Sequence, residues 1–122
     1  MQGIRQYQST ALHTAPKETL LLMLLEAAIE RQEAAVEALR SGDIKVAREH
    51  LSFTRNVFSE LMLALDHELA PQLSARLHGL YLWSFRELAR AGRERDPSIV
   101  EGVLKVTQSL LGTWTEAVER GA

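Results

Sequence analysis

No cysteine occurs in the chain, which excludes disulfides and thiolate metal sites and fits a reducing compartment. Proline and glycine are sparse, three and seven in 122 residues, few for an all-β chain with its many turns. No charge sign dominates either: the formal net charge is -2, with 25% charged residues. A nucleic-acid-binding domain would show a clustered basic excess, which is missing here. Long hydrophobic runs are also missing. The longest, Leu20 to Leu25, spans six residues, against the roughly 20 needed to cross a bilayer. The opening MQGIRQYQSTALHT has no basic start followed by an apolar block, so no secretory signal is expected. These absences leave a soluble, cytoplasmic single domain as the expectation.

Catalytic groups are equally scarce. None of the four histidines, His13, His50, His67 and His78, has a glutamate three residues before it, so the Glu-x-x-His pairs of di-iron bundles are absent. No H-E-x-x-H or G-x-S-x-G motif occurs, and Gly79 and Gly92 stand alone rather than in a phosphate-cradling loop. Tyr81, Trp83 and Phe85 alternate, so they cannot share one helix face as a stacking platform for bases. The charged groups Glu30-Arg31-x-Glu33 and Arg93-Glu94-Arg95 read as solvated faces. The expectation is a protein that is not an enzyme, with no catalytic residue, cofactor or metal site.

What the chain does have is helical periodicity, most clearly from Ser41 to Asp66. Ile44, Ala47, Leu51, Thr54, Phe58, Leu61 and Leu65 recur at alternating intervals of three and four, the mark of one buried stripe. A second row, Val46, Phe53, Val57 and Ala64, lies about 100° further round. Such a wide apolar arc belongs either to a helix wedged among several others or to one that offers a surface outward.

The rest of the chain breaks into comparable segments. Residues 1–14 read as an arm with Ile4, Tyr7 and Leu12 as isolated apolar points. Residues 15–120 then read as a four-helix bundle. Helices are expected near 16–40, 43–67, 71–91 and 97–119, with Thr14, Asp43 and Asp96 as caps. Gly42 and Gly92 serve as stops, and Pro16, Pro71 and Pro97 as first-turn residues. The inner stripes are Leu22, Leu25, Ile29, Gln32, Val36 and Leu39 on the first helix, and Leu73, Leu77, Leu80, Tyr81, Ser84, Leu88 and Ala91 on the third. The fourth carries Val100, Val103, Thr107, Leu110, Trp114 and Ala117 inward. Short links between helices of similar length predict an all-α, antiparallel up-down-up-down bundle.

Several short motifs, taken in order, resemble the flagellin-binding flagellar secretion chaperones of the FliS family. Gly3-Ile4-Arg5-x-Tyr7-Gln8 is similar to that family's amino-terminal Ile-x-x-Tyr element, and Thr14-Ala15 with Leu20-x-Leu22-Met23-Leu24 to its first helix start. Gly42-Asp43-Ile44, Leu51, Asn56, Glu60-Leu61 and Leu65-Asp66 follow its second helix. Leu80-Tyr81, Leu88, Ala91, Asp96 and Trp114 follow its third and fourth. The chain departs from the pattern at Pro16, Leu25, Ala27, Glu68 to Pro71 and Ala91-Gly92.

The resemblance implies a cytoplasmic export chaperone. Its client is the carboxy-terminal helical segment of flagellin, kept from premature polymerisation and delivered for secretion. An export-gate component is a further expected partner, and the chaperone itself is expected as a monomer or weak homodimer. The expected client-binding residues are Ile4 and Tyr7 in the arm, Leu20 and Leu24 on the first helix, Val46, Phe53 and Val57 on the second, and Leu82 and Phe85 on the third. Two alternatives stay open: a self-associating structural bundle, and a paralogous chaperone with another flagellar client.

Overall fold

Each helix begins and ends where local chemistry dictates. In a computed structural model that describes residues 17–121, they are α1 (Lys17–Ser41), α2 (Ile44–Leu63), α3 (Pro71–Glu94) and α4 (Pro97–Gly121). The expected arm, with Ile4 and Tyr7, and the expected cap Thr14 lie outside the described residues. After α1 the chain turns at Gly42, whose φ of 81° is a left-handed conformation open to glycine without steric penalty. Asp43 then caps α2, its carboxylate accepting from the Val46 N–H at 3.3 Å, which satisfies one of the orphan donors of the first turn. Pro71 opens α3, where its missing N–H removes no helical bond.

Two boundaries differ from expectation. The helix α2 stops at Leu63 rather than near residue 67. Asp66 takes over the chain direction there, accepting from the N–H groups of Glu68 and Leu69 at 3.1 and 3.0 Å, an Asx-type turn that competes with helix. In turn α3 runs through Gly92 to Glu94, and the left-handed residue that closes it is Arg95, φ 53°. Gly92 is a buried residue facing α2: a Cβ built on it would sit 3.5 Å from Leu51 Cδ1. It faces α2 at ordinary van der Waals distance and is not a stop.

The helices pack as a ring, α1 on α2, α2 on α3, α3 on α4 and α4 on α1, and among the described residues no two backbones approach closely across a diagonal. Short connections make each neighbouring pair antiparallel, so the up-down-up-down bundle stands. The seam between α3 and α4 is the sparsest.

The core follows the α2 stripe closely. Ala47, Leu51, Thr54, Phe58 and Leu61 are buried, and Phe58 meets Tyr81 with ring centroids 6.1 Å apart, within the range of favourable tilted aromatic pairs. From the other helices come Leu25, Val36, Leu88, Val100, Val103 and Leu110. The inward face of α1 is set by Leu25, Ala28, Gln32, Ala35, Val36 and Ala38. It is therefore rotated from the expected stripe, and Leu22, Ile29 and Leu39 are half-buried. The expected inward residues Leu73 and Ala117 are exposed and Leu77 is half-buried, because they lie near the end of the bundle away from the Gly42 turn. Trp114 is half-buried as well, packed against the core cluster, and burial raises the Tyr81 pKa against a smaller downward pull from Trp114.

Candidate functional site

The described residues offer no group of three or more His, Asp or Glu able to hold a metal. No helix among them is long and apolar enough to cross a membrane. What they do offer is apolar surface along the two flanks of α2.

On the flank toward α1 lies the outer row of α2. Val46 is 36% exposed and Phe53 half-buried. The Arg31 guanidinium of α1 sits over the Phe53 ring, 4.3 Å from its centroid, a cation–π contact that also shields the ring from water. Arg31 Nη1 donates to His50 Nδ1 at 3.0 Å, which fixes the His50 proton on Nε2. Burial, and then the Arg31 charge, hold the His50 pKa below its ordinary value, against a smaller upward pull from Glu49.

Val57 breaks the expected row. It was expected at the outer surface with Val46 and Phe53, but it is 5% exposed and part of the core cluster. The alanines on the buried face of α1 let helix axes approach closely, so the seam covers more of the circumference of α2 than a stripe of large residues would.

On the opposite flank, toward α3, Phe85 and Leu82 are half-buried. The Arg55 guanidinium lies 5.2 Å from the Phe85 ring centroid. Phe53 and Arg55 are two positions apart on one helix, hence about 200° apart around it. The expected contact residues are thus split between two seams. Leu20 and Leu24, both half-buried, lie in the first two turns of α1, where every residue from Leu20 to Leu24 keeps part of its surface exposed. Larger apolar exposure stands at the α2–α3 corner: Leu63 is 78%, Leu69 83% and Leu73 55% exposed.

The α2–α3 flank also holds a feature that stripe-reading overlooked. A shallow groove of about 320 Å³ is floored by Leu51, Leu88 and Gly92 and rimmed by Arg48, Arg55 and Arg93. Its signal in the sequence was the spacing of Arg48 and Arg55, and of Arg86 and Arg93, seven positions apart on each helix. Seven residues is close to two helical turns, so each pair occupies one face.

Sequence and fold comparisons place this bundle among known proteins. The family model described as Flagellar protein FliS matches residues 1–121. The chain belongs to the FliS family. It is 30% identical over 119 residues to the flagellar secretion chaperone FliS of Campylobacter jejuni, spanning 95% of this chain and 93% of that one. It is 25% identical over 113 residues to the flagellar secretion chaperone FliS of Bacillus subtilis, spanning 93% and 84%. A crystal structure of a flagellar chaperone from bacteria superposes with a TM-score of 0.80 over 97% of this chain and 98% of that one, at 21% identity. FliS proteins are flagellar chaperones, not enzymes. A flagellar secretion chaperone of this family has a protein client in flagellar export.

Proposed function

We propose that the protein is a cytoplasmic flagellar export chaperone that holds the carboxy-terminal helical segment of flagellin and keeps it from polymerising before secretion. The observation that carries this reading is the partly uncovered apolar surface of α1, α2 and α3: Leu20, Leu24, Val46, Phe53, Leu82 and Phe85 keep part of their surface open, although Leu24, Phe53 and Phe85 also pack against the core. An amphipathic client segment, disordered when free, would lay its apolar face against these flanks and fold as it docks. Ile4 and Tyr7 complete the contact set in this reading, being the arm residues with apolar side chains nearest the family's Ile-x-x-Tyr pattern.

Calorimetry with a flagellin carboxy-terminal peptide tests the proposal, alongside the mass of the complex in solution. One peptide per chain is expected, with a negative heat-capacity change of the kind that accompanies burial of about 1,000–3,000 Å² in coupled folding. Deleting residues 1–13 should change the affinity. A stable oligomer indifferent to the peptide would refute the chaperone reading in favour of a self-associating bundle.

A further inference from the structure

We infer that the groove between α2 and α3 is a docking site for an acidic amphipathic helix of a protein partner, with carboxylates spaced two turns apart to meet two rows of arginines. One row is Arg48 and Arg55 on α2, the other Arg86 and Arg93 on α3. Within each row the guanidinium-bearing residues stand about 10.5 Å apart along the helix axis, at 1.5 Å rise per residue. Arg48 and Arg55 on α2 and Arg93 on α3 rim the floor formed by Leu51, Leu88 and Gly92, and Arg86, two turns from Arg93, lies on the same face of α3.

Three observations carry the assignment. None of the four arginines forms an ion pair among the described residues, whereas Arg40 pairs with Glu101, and Arg90 with Glu87 and Glu94. The Nε of Arg55 is buried and has no hydrogen-bond acceptor. A buried cationic donor left unpaired is costly, and an incoming carboxylate would satisfy it with a charge-assisted bond. Charge is also unevenly divided around the ring: α2 and α3 carry seven Arg and Lys against four Glu, while α1 and α4 carry five against eight. The turn acids Asp43, Asp66, Glu68 and Asp96 offset the excess over residues 43–96 as a whole, so the positive field is local to the groove, whose lining holds Arg48, Arg55 and Arg93 and no acid, and it is there that an acidic partner is steered.

The apolar floor decides between partner classes. Leu51 and Leu88 at the bottom, with the missing side chain of Gly92 opening space over α3, accept aliphatic side chains of a helix. A polynucleotide would find no exposed ring to stack on there, since Phe85 lies beneath Arg55. Lys45 extends the basic rim into an adjoining depression lined by Ile44, Arg48 and Ser52, in which Glu49 is the one acid.

The site does not depend on flagellin being the client, so its test uses a model ligand. A helical peptide of about 15 residues, near the length at which an isolated helix persists, would carry leucines on one face and glutamates at i and i+7 on both flanks. Titrated into the isotope-labelled full chain, it should shift the amide resonances of Ser52, Ala89 and Gly92 first, and added salt should weaken it. The double variant Arg48→Glu/Arg93→Glu alters two exposed side chains. It should bind about tenfold or more weakly with unchanged far-UV circular dichroism, and Arg48→Gln/Arg93→Gln should fall between. The same peptide with glutamine for glutamate should fail to bind. Equal binding of the two peptides, indifference to the arginine variants, shifts centred elsewhere, or tighter binding of a thymidine oligonucleotide at the same residues would each overturn the proposal.

Discussion

Replacing Gln32 by methionine should stabilise the bundle. Gln32 is fully buried on α1 and donates from Nε2 to Thr107 Oγ1 of α4 at 2.9 Å. Its carbonyl oxygen Oε1 is buried with no donor in reach. The Thr107 hydroxyl is itself anchored, donating to the Val103 carbonyl at 3.0 Å, so it keeps a partner when Gln32 is lost. Methionine has nearly the same length and no branch, and fills irregular space well. The exchange gives up one neutral hydrogen bond, worth about 0.5–1.5 kcal/mol net, and removes an unpaired acceptor that costs about 1–3 kcal/mol. It also trades a buried amide for an apolar group. The net expectation is about 2 kcal/mol in favour of methionine.

With an unfolding entropy of about 2.1 cal/mol/K per residue, that gain raises Tm by about 8 °C in a chain of 122 residues. Scanning calorimetry at neutral pH measures it, and Gln32→Ala, which leaves a cavity, should move Tm the other way. The flagellin-peptide affinity should hardly change, since Gln32 faces α4. A methionine variant less stable than the parent by 1 kcal/mol or more would refute the reasoning, because the Oε1 acceptor would then have to be satisfied in the native protein.

Four further substitutions probe other parts of the structure. Gly92→Ala should stabilise by up to about 1 kcal/mol, because the added methyl meets Leu51 Cδ1 at an ordinary 3.5 Å; denaturant unfolding checks it, and a loss would show that α2 and α3 are packed more tightly. Val57→Glu places a carboxylate in a site only 5% exposed and should unfold much of the bundle, visible as lost far-UV ellipticity, whereas Val46→Glu at the exposed end of the same row should leave folding intact. The His50 pKa is held below its ordinary 6.5, so the unfolded chain takes up a proton that the folded chain resists. Stability from this residue is fully present above that value and declines as pH falls below it. His50→Gln, which keeps an acceptor for Arg31, should lose less stability between pH 7 and 5 in thermal melts.

How much of this could be read from the sequence depended on how unequal each helix's faces are. The row from Ile44 to Leu61 on α2 contrasts sharply with Glu49, Ser52 and Asn56 opposite, and the residues read as inward on it are buried or half-buried. On α1 the run Leu20 to Leu25 is apolar all round, so the period gives no direction there. Small Ala28 and Ala35 take the core positions that larger Leu22 and Ile29 were expected to hold. The end of α2 was missed because Asp66 offers its backbone neighbours a turn, and Gly92 because a glycine signals a stop and a buried helix position with the same letter.

The site was legible only in part, and for a related reason. Periodicity on one helix tells which side is apolar, but not which neighbour lies beside each flank. Phe53 and Phe85 looked equivalent as apolar residues beside a main stripe, yet one lies under Arg31 at the α1–α2 seam and the other under Arg55 at the α2–α3 seam. The arginine rows show the same limit from the other side. Arg93 read alone is a solvated charge. Set across a leucine floor from Arg48 and Arg55, it becomes one edge of a groove, and the property that matters belongs to two helices at once. A client that folds against both flanks must therefore cross the outer face of α2, where Glu49, Ser52, Asn56 and Glu60 are exposed and polar. That crossing favours a client that approaches as separate apolar segments joined by a polar link over one that binds as a single unbroken helix.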